Sequence, residues 1–278
     1  GSLWMTRFFS LLLATGLIFS GCDVSHTQTK AAVVPSDATA VEDAQSITNA
    51  TTPEVLPEEV AWGQRRIKKI ADKTREAVVE IHNHQRGVRG TGTYFKFNDY
   101  HIVLTAAHVV DGYNVMEVRA PSGESTGGLV VLFDNSHASD LAVLVVKEQL
   151  MTRKPMELKL REQIHDAIAE DVVYTGDPGH HRQMTIFGNI AGIESDGSVI
   201  MHSYAWGGAS GSSVFDSKGR LVGILKAVDV NRSRMSPFPQ ITEDMVWLSP
   251  GWLINLEDLE KILKIYELML ELEGGGSR

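Results

Sequence analysis

Hydrophobic and polar residues alternate in short runs from about residue 77 to residue 228, and Gly, Asn and Asp separate one run from the next. Such runs are typical of β-strands joined by turns. Asp196-Gly197, between two of the runs, is a strong hairpin signal. The pattern predicts an all-β fold of two antiparallel barrels or a sandwich, and not a βαβ sheet. The runs are AVVEIHN, TGTYFKF, HIVLTAAHVV, NVMEVRA, GLVVLF, LAVLVVK, DVVYTG, MTIFGNIAGIES, SVIMHSY, SSVFD and RLVGILKAV.

Helical spacing of apolar residues occurs on both sides of this strand-rich region. Residues 58–75 carry one apolar stripe, which predicts a helix before the first strand. Residues 255–272 carry another, with Asn255 as a suitable N-cap. We interpret this second stripe as core packing and expect the C-terminal helix to dock on the last barrel. The first stripe consists of Val60, Ile67, Ile70 and Ala71.

The N-terminus has the pattern of an export signal. Arg7 precedes the apolar run Phe8–Phe19, and Ser20-Gly21-Cys22 follows it. The run is too short to span a bilayer comfortably. Small residues before a lone cysteine resemble a bacterial lipobox, which implies cleavage before Cys22 and a lipid on its sulfur, while an ordinary secreted protein is the alternative. Asp23 after that cysteine would imply retention at the inner membrane in enteric bacteria.

Composition limits the remaining possibilities. The segment 23–57 is rich in Thr, Ala and Ser and lacks aromatic residues, which predicts a disordered tether. The chain of 278 residues is 43% hydrophobic and 22% charged, as is usual for globular proteins. Its formal charge of −9 argues against a nucleic-acid partner. With Cys22 as its only cysteine, the chain has no intrachain disulfide.

Three segments contain the residue types that acyl transfer by a serine requires. VLTAAHVV places His108 at the end of an apolar strand, HASDLAVLVV places Asp140 before another, and WGGASGSSVFD places Ser210 in a glycine-rich turn. Taken singly, each is more typical of a structural role. Together they supply a hydroxyl, an imidazole to take its proton and a carboxylate to orient the imidazole. Glycine before the serine also allows backbone N–H groups to face an oxyanion.

In this order, TAAHVV, SDLAVL and GGASGSSVFD resemble the trypsin-like (chymotrypsin-fold) serine proteases, and the closer likeness is to the bacterial HtrA/Deg branch. IKKIADKTREAVVEI resembles the N-terminal helix and first strand of that branch, and KGRLVGILKA resembles its cleft strand. GTGTYF and VVYTGDPGHHRQMTIFGNIAG resemble its glycine-rich strand and Gly-x-Pro loop. The likeness spans about residues 67–228. It implies two antiparallel six-stranded β-barrels and an endopeptidase without a cofactor, acting on unfolded or extended protein segments in the cell envelope.

Carried over residue by residue, the resemblance implies that Ser210 is the nucleophile. His108 would be the general base and then the acid, and Asp140 the orienting carboxylate. Gly208 and Ser210 would donate the oxyanion-hole N–H groups. Ala209 departs from the Asp that many digestive-type relatives have before the nucleophile, so their zymogen switch is expected to be absent.

The sequence gives less information about the substrate pocket than about the catalytic residues. Ala205 and Val228 favour a small or medium apolar side chain. Lys226 favours an acidic one if it points into the pocket, although we prefer to interpret it as a solvated charge. The residues that the resemblance assigns to the pocket are Tyr204, Ala205 and Trp206 on one side, and Leu225, Lys226, Ala227 and Val228 on the other.

The resemblance and the N-terminal pattern together predict the organisation of the chain. We expect an exported lipoprotein, on the periplasmic face of the inner membrane if the source is Gram-negative, whose partners are polypeptides and the membrane. The fifty residues after Val228 are too few for the PDZ domain that HtrA enzymes usually append, so none is expected. Whether residues 1–4, which precede Met5, are native is left open. The predicted parts are a signal peptide at 1–22, a tether at 23–57, a protease domain at 58–254 with barrels at about 77–160 and 166–254, and a helix at 255–272.

Other functions have weaker support from the sequence. His82, His84 and His101 make a metal site on paper, but the chain lacks cysteine pairs and an HExxH motif. A silent pseudoprotease that binds peptides at the membrane is the main alternative, and the intact set of His, Asp and Ser argues against it. An esterase-like hydrolase would need a GxSxG elbow, which GASGS does not match. Assembly through Trp62 and the first helix is left open.

Overall fold

The computed structural model describes residues 58–136, 138–162, 166–179, 181–231 and 240–275 of the chain. The predicted signal peptide, Cys22 and the tether lie outside these residues. Every described element belongs to one compact unit, Glu54–Arg278. Within the described ranges, no helix has the length and hydrophobicity needed to cross a bilayer.

Two closed antiparallel β-barrels of six strands each form the molecule, and this confirms the predicted fold class. Both barrels close through hydrogen bonds between the first and last strands of their orders, β1 (Val78–Asn83) with β2 (Val88–Phe97) and β10 (Val199–His202) with β9 (Met184–Ile193). A short strand β7, Met156–Glu157, pairs in parallel with β2. The first barrel has the order β1-β4-β5-β6-β3-β2, formed by β1 (Val78–Asn83), β2 (Val88–Phe97), β3 (Tyr100–Thr105), β4 (Val115–Arg119), β5 (Ser125–Asp134) and β6 (Leu141–Val146). The second has the order β10-β13-β12-β11-β8-β9, formed by β8 (Asp171–Gly176), β9 (Met184–Ile193), β10 (Val199–His202), β11 (Ser213–Asp216), β12 (Leu221–Asn231) and β13 (Gln240–Pro250).

The strongly apolar run at β6 is explained by burial of both of its faces. Ala142, Leu144 and Val146 point into the core of the first barrel. The alternate residues belong to a second cluster that also contains Phe215 and Ile224 from the second barrel. We call this second cluster the shared layer, because strands of both barrels contribute to it. Because neither face of β6 is exposed to solvent, apolar and polar residues do not alternate along this strand.

Helix α1 (Glu58–Ala77) closes one side of the shared layer. Ile67, Ile70 and Ala71 are buried there, as the sequence predicted, whereas the side chain of Val60 lies outside the described part. A hydrogen bond of 2.7 Å between the hydroxyls of Thr74 and Thr175 joins α1 to β8. The helix before the first strand is therefore part of the core of this protein.

The C-terminal helix α3 (Leu256–Gly275) was expected to dock on the second barrel, but its main contacts are with a single strand of the first barrel. It lies against β5 of the first barrel, and the Tyr100 hydroxyl donates a 2.7 Å hydrogen bond to Glu267. Leu259 and Leu263 are buried in the shared layer. The helix therefore covers an apolar surface that would otherwise face solvent. Asn255 is the N-cap, since its Oδ1 accepts hydrogen bonds from the N–H groups of residues 257 and 258.

Strand β13 was not recognised in the sequence, although it lies between β12 and β10 in the second barrel and pairs with both. Its first half, Gln240–Asp244, is polar and does not alternate with apolar residues. Its second half, MVWLSP, does contain the inward-facing residues Val246 and Leu248. The pairing, and not the local pattern, defines this strand.

Candidate active site

His108 lies in a one-turn helix, α2 (Ala107–Val110), and not at the end of a strand as predicted, because β3 already ends at Thr105. The apolar pattern of the strand continues through Val109 and Val110, but the chain turns into α2 directly after the end of β3. Ala107, Val109 and Val110 are buried by this turn. The His108 side chain stays 44% exposed, so its imidazole is accessible to a reactant.

Asp140 holds His108 at two points. Its Oδ2 lies 2.6 Å from Nδ1 of the imidazole, and its Oδ1 accepts a 2.8 Å hydrogen bond from the backbone N–H of His108. The carboxylate is almost completely buried. This contact orients the ring and leaves Nε2 as the ring nitrogen that faces away from Asp140, the arrangement that a general base requires.

Ser249 fixes the carboxylate in turn, and the sequence analysis missed it. Its Oγ accepts a 2.7 Å hydrogen bond from the backbone N–H of Asp140. Ser249 belongs to β13 in the second barrel, whereas Asp140 directly precedes β6 in the first. No local signal distinguishes this serine from other strand serines, because its role depends on contact between the barrels.

The loop that carries Ser210 is pressed against the segment that leads into α2. Ser210 O accepts a 2.9 Å hydrogen bond from Thr91 N, and Gly211 N donates to Leu225 O at 2.8 Å. Gly211 has φ +92°, and a Cβ at this position would lie only 2.9 Å from Ala106 N. Only glycine fits this contact. The structure thus brings Ser210 to the region of His108, although no hydrogen bond joins their side chains among the described residues.

The backbone beside Ser210 presents N–H groups that have no acceptor. Within the described residues, neither Gly208 N nor Ser210 N donates a hydrogen bond to protein. Gly208 has φ +99°, and a Cβ there would lie 2.4 Å from Asp177 O, so this position also requires glycine. Two neighbouring N–H groups without acceptors form a place where negative charge is stabilised.

Thr91, in β2, holds this loop in its conformation and was not singled out from the sequence. Its Oγ1 donates a 2.8 Å hydrogen bond to Gly208 O and accepts one of 3.1 Å from Asp177 N. Its backbone N–H binds Ser210 O, as described above, and its carbonyl accepts from the Thr105 hydroxyl at 2.7 Å. One residue of the first barrel therefore positions the Ser210 loop of the second.

The loop after β8 supports the same region. Gly179 N donates a 2.6 Å hydrogen bond to Gly207 O, which sets the direction of the peptide that contains Gly208 N. Asp177 at the start of this loop is buried, and burial raises the pKa of its carboxyl, while the hydrogen bond from Gln183 N lowers it in part. The buried carboxyl belongs to the frame of the site and has no contact with His108 among the described residues.

The predicted pocket residues are placed in different environments. Ala205 and Leu225 are buried in the core of the second barrel, whereas Tyr204 is exposed. Lys226 is half-buried and lies at a bulge where the pairing of β12 with β13 shifts register. The side chains of Ala227 and Val228 are outside the described part, so the pocket assignment stays a prediction.

The histidines considered for a metal site each contact a different residue. His82 Nε2 lies 2.8 Å from Glu80, His84 Nε2 lies 2.5 Å from Glu117, and His101 Nδ1 lies 2.6 Å from the Tyr94 hydroxyl. In the part of the chain that the structure describes, no group of three or more His, Cys, Asp and Glu side chains is arranged to hold a metal ion.

Comparisons with known proteins agree with this architecture. Residues 90–224, which include His108, Asp140 and Ser210, match the family model of the trypsin-like peptidase domain. None of the curated protein sequences matches the chain.

Solved structures show the same fold at low sequence identity. The serine endoprotease from Yersinia pestis is 22% identical with a TM-score of 0.53, over 71% of this chain and 66% of that one. This chain therefore spans slightly less than two thirds of the length of that protein. The inactive form of Rv3671c from M. tuberculosis H37Rv, a serine-to-alanine mutant, is 22% identical with a TM-score of 0.51, over 69% of this chain and 89% of that one. The predicted resemblance to the trypsin-like serine proteases is confirmed by the family model over residues 90–224 and by the two-barrel fold.

Proposed function

We propose that the protein is a serine endopeptidase that cleaves extended or unfolded polypeptide segments through an acyl-enzyme intermediate. The observation that carries this proposal is the double contact of Asp140 with His108, at 2.6 Å and 2.8 Å, next to the loop that carries Ser210. A buried carboxylate on Nδ1 stabilises the imidazolium that forms when the other ring nitrogen takes a proton. A merely structural histidine has no need of this arrangement.

In the proposed reaction, His108 Nε2 takes the proton of the Ser210 hydroxyl as Oγ attacks the carbonyl carbon of the scissile peptide. The oxyanion that results accepts hydrogen bonds from Gly208 N and Ser210 N. The imidazolium then protonates the leaving amine, and the C–N bond breaks to give an ester on Ser210. Water, deprotonated by His108, hydrolyses this ester. Contacts of a free enzyme are often longer than in its substrate complex, so Ser210 and His108 are expected to approach when substrate binds.

Strand β12 supports the proposed mode of substrate binding. Its pairing with β11 ends at Ile224, so the described strands leave this edge of β12 without a partner from Ala227 onward. An extended peptide adds to such an edge through main-chain hydrogen bonds, and its side chains then select the sequence. Tyr204 and Lys226 are the residues we propose to test first for selectivity, small apolar side chains and acidic side chains being the two candidates.

We also propose that the protein acts as an exported lipoprotein held to the membrane at Cys22. Support comes only from the sequence of residues 8–22. The expected result is that the full-length chain fractionates with membranes, whereas Cys22→Ala fractionates with soluble protein. Equal fractionation of both chains would overturn the anchor and leave the proposed reaction unaffected.

A fluorophosphonate probe tests the proposed reaction directly, because it forms an adduct only with an activated serine. The compact unit Glu54–Arg278 is suitable, since it contains both barrels with their cores. We expect an adduct on Ser210 that is absent in Ser210→Ala and strongly reduced in His108→Ala. Ser213→Ala is the matched control, because this neighbouring serine is buried and lies in β11, and it should label like the parent chain.

The other outcomes distinguish the competing functions. Absence of an adduct on a folded chain would favour a pseudoprotease that binds peptides, for which the missing hydrogen bond between Ser210 and His108 is the supporting observation. Labelling together with cleavage of small esters but of no peptide would favour an esterase-like hydrolase.

A further inference from the structure

Helix α3 is apolar on two sides. Leu259 and Leu263 on one side are buried in the shared layer. On the opposite side, Ile265, Leu268, Met269 and Leu272 are exposed by 56%, 56%, 55% and 71%. These four residues follow the spacing i, i+3, i+4 and i+7, which places them on one face of the helix. We call this face the α3 stripe.

The α3 stripe lies where the helix extends beyond the body of the protein. Every residue from Leu268 to Leu272 is exposed, beyond the hydrogen bond of Glu267 to Tyr100, so the barrels leave these turns of the helix uncovered. Short helices without packing are marginally stable in water, and contiguous exposed apolar faces are typical of interaction sites. A partner on the α3 stripe would stabilise these turns.

The charges of α3 disfavour a membrane as this partner. The helix sequence contains six acidic residues and two lysines. Helices that lie on membranes are usually rich in Lys and Arg on their polar face, because membrane surfaces are anionic. The acidic balance of α3 favours a protein partner.

The charges beside the α3 stripe indicate what that partner is. Lys264 and Glu271 are seven residues apart, so both lie on the same flank of the stripe, with Lys264 at its start and Glu271 near its end. When two such helices pair antiparallel, each flank faces the same flank of the other helix in reverse. Lys264 of one copy then meets Glu271 of the other, twice per pair. A parallel pair would not make these contacts.

We propose that the α3 stripe is a dimerisation surface, on which the α3 helices of two copies of this chain pack antiparallel about a two-fold axis near Leu268. Such an interface is self-complementary, as closed dimers require. Lys264 forms a 2.7 Å ion pair with Glu260 in the single chain. Exchanging this exposed pair for one between copies costs little, because surface ion pairs contribute little to stability. The proposal does not depend on the proposed catalytic function.

Sedimentation of the Glu54–Arg278 unit from about 1 μM to about 1 mM tests the dimer, a range that covers weak association. We expect a monomer–dimer equilibrium, and we expect Leu268→Glu to raise the dissociation constant roughly tenfold or more. Leu253→Glu, at an exposed leucine outside α3, is the matched control and should leave the constant unchanged. A parent chain that stays monomeric throughout, or a dimer that Leu268→Glu does not weaken, would overturn the proposal.

Charge exchange tests the antiparallel orientation. Lys264→Glu and Glu271→Lys should each weaken self-association, because like charges then face each other. The double variant should restore it, and an equimolar mixture of the two single variants should form a mixed dimer. Failure of both the double variant and the mixture to recover association would contradict the antiparallel arrangement.

Discussion

Asp140 differs from an ordinary surface carboxylate in that both of its oxygens and its own backbone N–H are hydrogen-bonded. Two of these bonds go to His108 and the third to Ser249. Each contact restricts the position of the carboxylate and therefore the orientation of the imidazole. At the scale of single residues, the precision of the proposed proton transfer depends on this set of bonds.

Replacing Ser249 by Ala is expected to lower the free energy of unfolding by about 1–3 kcal/mol, because the buried N–H of Asp140 loses its acceptor. Peptidase activity should fall as well, as Asp140 becomes less well positioned. Urea unfolding and kcat/KM with a peptide substrate measure the two effects.

Ser139→Ala is the matched control for this change. Ser139 is as deeply buried as Ser249, at 1% exposure, but its Oγ has no hydrogen-bond partner among the described residues. Its replacement should leave stability unchanged or slightly raised. Equal losses in both variants would show that burial alone, and not the bond to Asp140, accounts for the effect.

Asp177 predicts a pH dependence of stability. Burial raises the pKa of this carboxyl in the folded protein above its ordinary value. The charged form is therefore disfavoured by folding, and the stability present below pH of about 4 is lost as the pH rises through the folded pKa. Asp177→Asn removes this loss, so the variant should be more stable than the parent chain at pH 7. Urea unfolding at pH 7 and below pH of about 4 checks the sign. A gain in stability of Asp177→Asn over the parent chain that is as large at the acidic pH would contradict the prediction.

At the scale of elements, β2 connects the two halves of the candidate site through Thr91. The strand belongs to the first barrel, yet Thr91 binds Gly208 O, Ser210 O and Asp177 N in loops of the second. Thr91 does not contact the reacting atoms in the proposed mechanism and is a positioning residue. Its effect on catalysis is expected to act through the backbone N–H groups at Gly208 and Ser210.

Thr91→Val keeps the shape of the side chain and removes its hydroxyl. We expect kcat to fall by about 100-fold, because misplacement of groups by around 1 Å has effects of this size. KM should change little, since β12 is unaffected. Thr91→Ser retains the hydroxyl and should recover most of the activity. A rise in KM at constant kcat would instead place Thr91 in substrate binding.

At the scale of the whole molecule, the shared layer determines how the barrels meet. Phe95 and Phe215, one from each barrel, contact each other with ring centroids 6.0 Å apart. His108 and Asp140 lie on the first barrel and Ser210 on the second. The geometry of the proposed site therefore depends on a hydrophobic contact that contains none of its residues.

Phe215→Ala should lower the free energy of unfolding by about 3–5 kcal/mol, since it leaves a cavity in the shared layer. Fluorophosphonate labelling of Ser210 should slow under conditions where the variant is still folded. Phe187→Ala is the control, because this ring is 53% exposed and its loss should change stability by at most about 0.5 kcal/mol. Unchanged labelling in a destabilised Phe215→Ala chain would separate barrel packing from site geometry.

The sequence by itself determined the strand-rich class of the fold, most of the strands and the three segments that the structure brings together. Alternation and turn residues are local properties, and they specify a strand wherever it is placed. The motifs around His108, Asp140 and Ser210 are also local features. Their order along the chain was therefore enough to reveal the family resemblance.

Tertiary structure alone decided the features that depend on contacts between distant segments. The one-turn helix of His108 forms where β3 leaves the barrel, and β13 is a strand because β10 and β12 pair with it. Helix α3 packs mainly on the first barrel. Its apolar stripe predicts that the helix is buried but does not specify which surface covers it. Thr91 and Ser249 acquire their roles only when the two barrels pack together. No local sequence pattern predicts these contacts between the barrels.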